Sequence, residues 1–82
     1  MTVESRAWGK FEVLLDEPTF KVKRITVKPG HRISYQSHRN RSELWHIVSG
    51  RGKVTLEGEI KDVSYDDVVR IPCQAKHRIS NP

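Results

Sequence analysis

Gly30-His-Arg-Ile-Ser-Tyr-Gln36-Ser-His38-Arg-Asn-Arg-Ser-Glu43-Leu-Trp-His-Ile-Val-Ser-Gly50 is the stretch whose reading decides the fold. Gln36 and His38 are two apart, and in a strand residues two apart point to one face. The four residues from Arg39 to Ser42 are all polar. Glu43 and an apolar run from Leu44 to Val48 come next. This pattern predicts a hairpin with a four-residue loop. Paired across that loop, His38 lies opposite Glu43 and Gln36 opposite Trp45, with Cβ atoms about 4.5–5.5 Å apart. An amide oxygen, an imidazole and a carboxylate then share a face. Such ligands suit a borderline or hard divalent metal such as Zn, Mn, Fe, Co or Ni. Taken alone, the same pattern also describes a solvated face with a solubilising Glu after its turn.

Around this stretch the chain reads as strands. Phe11 to Leu15 is a short one, stopped by Asp16-Glu17-Pro18. Thr19 to Val27 is rich in β-branched and aromatic residues, which favours a strand. Pro29-Gly30 and Ser49-Gly50-Arg51-Gly52 read as turns. Lys53 to Leu56 and Glu59 to Val63 flank Glu57-Gly58, a tight-hairpin signal. Val68 to Ile71 and His77 to Ser80 complete the set. No window has helical periodicity, and turn signals recur about every 8–12 residues, so the prediction is an all-β sandwich or barrel. Ahead of the first strand, Trp8 is expected to anchor an N-terminal arm.

Eighty-two residues make a single domain, 1–82. A chain of this size buries only about 60–65% of its unfolded surface. With 35% apolar residues and a mean hydropathy of −0.64, a metal or an oligomer interface would help hold it folded. A homodimer is therefore expected. No apolar run is long enough to span a membrane, and the first residues lack the apolar core of a signal peptide. One cysteine, Cys73, cannot form an internal disulfide, which points to a reducing, cytoplasmic setting. The net charge of +5, from fifteen Lys and Arg against ten Asp and Glu, favours anionic small molecules. The basic residues are scattered among strands, which argues against nucleic acid.

The segment from Asp66 to Asn81 connects these features to a family. The first cupin motif is written G-x5-H-x-H-x(3,4)-E-x6-G. Gly30, His38, Glu43 and Gly50 keep that spacing, with Gln36 in place of the first His. The second is written G-x5-P-x-G-x2-H-x3-N. Pro72, His77 and Asn81 keep it, while Asp66 and Gln74 stand where the motif has glycine. The chain thus resembles a cupin, a double-stranded β-helix or jelly-roll barrel. Arg6-Ala-Trp-Gly-Lys-Phe-Glu-Val13, Phe20-Lys-Val-Lys-Arg-Ile-Thr-Val-Lys-Pro-Gly30, Gln-x-His-x-x-Arg-x-Glu-x-Trp and His-Arg-Ile-x-Asn-Pro look like the cupin region of type II mannose-6-phosphate isomerases. That resemblance implies a zinc-type site at Gln36, His38, Glu43 and His77, and turnover of mannose 6-phosphate to fructose 6-phosphate. It also implies a barrel incomplete at its C-terminal end, since family members continue with further strands and a Tyr-Gly-Arg-containing tail. Arg39-Asn40 replaces a repeated His of the family.

Parity assigns the remaining candidates. His31 and His46 point away from the site, and Trp45 points in, as a core filler that could also be a substrate platform. Either Lys23 or Arg24 points inward. Lys23, as a point charge, and Arg41, as a fork in the loop beside the metal, are the candidate phosphate ligands. The catalytic base is not identified. The alternatives to isomerisation are a non-catalytic metal-containing module that binds a sugar or sugar phosphate, and an iron-dependent oxygenation.

Overall fold

In a computed structural model, which describes residues 2–82, the chain forms nine strands and no helix among the described residues. The strands are β1 (Thr2–Arg6), β2 (Gly9–Asp16), β3 (Lys21–Val27), β4 (His31–Arg32), β5 (Glu43–His46), β6 (Arg51–Leu56), β7 (Glu59–Ser64), β8 (Val68–Ile71) and β9 (His77–Asn81). Most lie within a residue or two of the expected boundaries. β1 is an addition: its five residues, TVESR, are all exposed. Such a strand has no apolar alternation to announce it and is held by its pairing with β2. Arg51 and Gly52, expected in a turn, already belong to β6.

All pairings are antiparallel and form three sheets, β1-β2-β3, β4-β9-β6-β7 and β5-β8. The β6–β7 turn places Glu57 at φ 48° and Gly58 at φ 82°. Positive φ at both central residues is the hairpin geometry whose twist matches the strands. Gly9 starts β2 where no other residue fits, because a Cβ there would lie 1.9 Å from the Thr26 carbonyl oxygen.

The core lies between the four-stranded sheet and β5-β8. Val54, Val63, Val69, Ile71 and Ala75 are buried together, with Trp45, Ile47, Leu56 and Ile79 packed against them. The first sheet is tied on by Asn81: its side-chain amide donates to the Val27 carbonyl at 2.8 Å, and its own carbonyl accepts from the Gly30 N–H at 2.6 Å.

The expected hairpin between His38 and Glu43 does not form. The Gln36 backbone is paired with His77 instead, and the His38 carbonyl accepts from the Gln74 N–H at 2.7 Å. Glu43 pairs with Ile71, and Trp45 with Val69 rather than Gln36. Each backbone group has one ladder partner to give, and these are already given to different strands. The loop from Arg39 to Ser42 therefore carries the chain from one sheet to another instead of turning it back on itself.

Candidate metal centre

Strands of all three sheets, with the loops between them, line an open cavity of about 1080 Å³. Gln36 and His77 sit directly opposite each other, bonded N–H to carbonyl in both directions at 3.0 and 2.8 Å. Residues paired this way project to the same side of a sheet. His77 is 1% exposed. Its Nδ1 lies 2.8 Å from the Ala75 carbonyl oxygen. A carbonyl can only accept, so Nδ1 carries the proton and Nε2 keeps its lone pair in the neutral ring. That Nε2 is 3.6 Å from Glu43 Oε2. The Trp45 ring meets the His77 imidazole edge-on, with centroids 5.5 Å apart and planes at 78°.

His38 approaches from the other side, its ring centroid 5.3 Å from that of His77. Its Nε2 is 3.2 Å from Glu43 Oε2 and 2.9 Å from an Arg41 guanidinium nitrogen. Arginine has only donors, so the His38 Nε2 accepts and the ring is neutral. Burial and the Arg41 charge both push the His38 imidazole below its ordinary value, against the opposing pull of Glu43.

Glu43 is fixed by its neighbours. Its Oε1 accepts from the Trp45 indole N–H at 2.8 Å, and its Oε2 from Arg41 Nε at 3.3 Å. Burial pushes the Glu43 carboxyl up, but the indole N–H, Arg41 and the two imidazoles outweigh it and hold it below the usual carboxylate value. The group is an anion at neutral pH.

Two imidazole nitrogens and a carboxylate oxygen thus lie within 4.8 Å of one another. Zinc bonds of about 2.1 Å to nitrogen or oxygen in tetrahedral array separate neighbouring donors by about 3.4 Å. The separations of 3.2 and 3.6 Å from Glu43 Oε2 lie near that spacing, so these three side chains could hold a metal ion. Gln36 lines the same cavity, with its amide nitrogen 3.5 Å from the Ser34 carbonyl oxygen.

The other sequence candidates divide cleanly. Lys23 lines the cavity with its ammonium 4.8 Å from the Phe11 ring centroid. Arg24 instead pairs with Glu12. Arg41 lines the cavity beside the ligand group. His31 and His46 are exposed, and His46 Nε2 contacts Asp66 Oδ1 at 2.9 Å. Cys73 is exposed at the cavity wall. The sequence reading placed Trp45 inward without its bond to Glu43. The signal was there: Glu43 and Trp45 are two apart on one strand, so both project to the same side. The Ala75 carbonyl that orients His77 carried no sequence signal, because any residue supplies a carbonyl.

The fold and this ligand arrangement define the class, a cupin-type β-barrel domain. The chain matches the model of the family described as mannose-6-phosphate isomerase C-terminal over residues 2–82, and it belongs to that family. Among curated proteins it is 46% identical over 77 residues to a mannose-1-phosphate guanylyltransferase of Salmonella montevideo. It is 43% identical over 77 residues to proteins of that name in Escherichia coli (strain K12) and, as a putative one, in Vibrio cholerae. Each match covers 94% of this chain but only 16–17% of the relative, so the chain spans about a sixth of the length of these proteins. No solved structure matches. No helix of the described residues is long and apolar enough to cross a membrane.

Proposed function

We propose that this domain is a metal-dependent, isomerase-like cupin that acts on a sugar phosphate, interconverting mannose 6-phosphate and fructose 6-phosphate. The carrying observation is the convergence of His38, Glu43 and His77 on a cavity that Lys23 and Arg41 also line. Gln36, His38, Glu43 and His77 would hold the ion, with zinc as the first choice and Mn, Fe, Co or Ni also served by these donors. A bound divalent cation supplies Lewis acidity toward the sugar's carbonyl and hydroxyl oxygens. Lys23 and Arg41 would hold the phosphate, the first as a point charge and the second through its fork. Trp8, Phe11 and Trp45 among the cavity walls would shield the reacting carbons from water.

Isomerisation moves a proton between adjacent carbons through an enediol, and its base must stand apart from the metal ligands. Among the described residues lining the cavity, the carboxylates other than Glu43 are Asp16 and Glu17, both exposed. Asp16 lies 3.8 Å from the Lys21 ammonium. This thin supply of bases favours a second reading, a module that binds the sugar phosphate without turning it over. A coupled assay with mannose 6-phosphate and added divalent metal tests the pair. Turnover that His77→Ala abolishes supports the isomerase. Metal-dependent binding without turnover supports the module, and neither binding nor turnover removes both.

The homodimer belongs to the same proposal. Phe20 is 54% exposed and Leu44 66% exposed beside the cavity, and a second copy would cover such apolar surface. Light scattering at micromolar concentration that returns the mass of one chain would remove it.

A further inference from the structure

We infer that Arg41 is an internal counter-cation: in the metal-free protein its guanidinium holds the ligand group together, and a metal ion must displace it to bind. The inference rests on the metal centre proposed above and concerns what competes for it.

His38 Nε2 and Glu43 Oε2 lie 3.2 Å apart, yet neither has a proton for the other. The His38 ring accepts at Nε2, and the carboxylate is an anion. Two acceptors at that distance repel unless a positive group bridges them. Arg41 bridges them with one fork: Nε donates to Glu43 Oε2 at 3.3 Å, while a terminal nitrogen donates to His38 Nε2 at 2.9 Å. A metal ion would take the same His38 lone pair. That nitrogen has only one, which cannot serve an N–H and a metal at the same time, so the two cations exclude each other at His38, while Glu43 Oε2 has a second lone pair to offer. The sequence makes the arrangement local. Arg41 is three residues after His38 and two before Glu43, in the loop that joins their sheets. The fork is attached to an exposed loop residue and can turn out without moving either ligand. Arg41 lines the cavity, so a displaced fork would remain within reach of a phosphate bound there. Metal loading would then release the arginine that the phosphate needs.

Zinc affinity of the chelator-treated protein, measured in competition with a chromophoric chelator, tests this. Arg41→Gln removes both the fork and the charge, and it should bind zinc about three- to tenfold more tightly than the parent. Arg41→Lys, which keeps the charge but not the fork, should fall between. Arg39→Gln makes the same charge change in the same loop and should shift affinity by no more than about twofold. In the parent, the Arg41 Nε–H proton should lose its protection from water exchange when zinc saturates the site. Equal or weaker zinc binding by Arg41→Gln, with His77→Ala still abolishing binding, overturns the inference and leaves the metal centre standing. So does an equal gain from Arg39→Gln, or unchanged Nε–H protection at saturation. Zinc binding that His77→Ala leaves untouched, or its absence from the parent, overturns the centre itself and this inference with it.

Discussion

Gln36 and His77 hold each other by two backbone hydrogen bonds, the Gln36 N–H to the His77 carbonyl at 3.0 Å and the His77 N–H to the Gln36 carbonyl at 2.8 Å. The clamp joins the two sequence motifs through groups that every non-proline residue has, so fold and ligation can be separated at this point. Gln36→Ala keeps the clamp and removes only the amide. The melting temperature should hardly move, while zinc affinity falls about tenfold. Gln36→Pro removes the amide and the N–H half of the clamp, and leaving the His77 carbonyl without that donor should cost about 1–3 kcal/mol of stability. Thermal unfolding and metal competition on the two variants give both readouts.

Trp45 governs the carboxylate from the opposite side. Its indole N–H is the donor to Glu43 Oε1 at 2.8 Å, and this is one of the interactions that hold Glu43 below the usual carboxylate value. Trp45→Phe retains a ring against His77 and the core but has no N–H. Zinc affinity should fall about tenfold, as expected when a hydrogen bond that orients a metal ligand is lost. An affinity equal to the parent's would show that the indole only fills space. Because Phe is smaller, the thermal midpoint in the absence of metal measures the packing loss separately.

Glu12 lies on the strand that contributes Phe11 to the cavity, and its residue is 5% exposed. Arg24 bonds its carboxylate, and Lys10 Nζ is 3.3 Å away. The Arg24 hydrogen bond, opposed by burial and helped by Lys10, holds the Glu12 carboxyl below its ordinary value of 4.5. A carboxylate whose folded value is lowered favours folding above its unfolded value, and the benefit is lost as pH falls through the folded one. Glu12→Gln should therefore melt below the parent at pH 7, and the gap should close as the pH is taken from about 4.5 downward. A gap that stays constant across a pH series of thermal melts would mean that the ionised form contributes nothing.

How much of this was legible in the sequence depends on which interaction set each feature. Strand positions followed local chemistry: β-branched runs, Pro18, Gly30 and the Glu57-Gly58 turn are short-range signals, and the strands fall beside them. The outward sides of His31 and His46 followed from a period of two. Partners did not follow. A four-residue polar loop between strands usually closes a hairpin, yet here Glu43 pairs with Ile71 and Gln36 with His77. Those choices depend on segments some thirty to forty residues away, which no local pattern encodes. The His38–Glu43 contact was thus anticipated between the right residues but through the wrong backbone pairing. β1 was missed for the opposite reason: an exposed polar strand has pairing and little else to identify it.

Asp66 and Gln74 stand where the second cupin motif has glycine, and both keep the glycine backbone, with φ 75° and 68°. A side chain in that left-handed region costs about 1–2 kcal/mol, and the two residues differ in what offsets it. Asp66 is of a type that tolerates this conformation, and its Oδ1 contacts His46 Nε2 at 2.9 Å. Gln74 has no such excuse: its backbone N–H holds the His38 carbonyl at 2.7 Å, but its side chain is exposed. Gln74→Gly should remove the strain, and against the about 0.5–1 kcal/mol that glycine loses in chain entropy a net gain of about 0.5 kcal/mol remains. Asp66→Gly gives up its His46 contact and should bring no gain. Urea denaturation of the two variants decides the matter. If Gln74→Gly is less stable than the parent, the left-handed turn that positions His38 against His77 is not strained, and the replacement of glycine there is neutral for the fold.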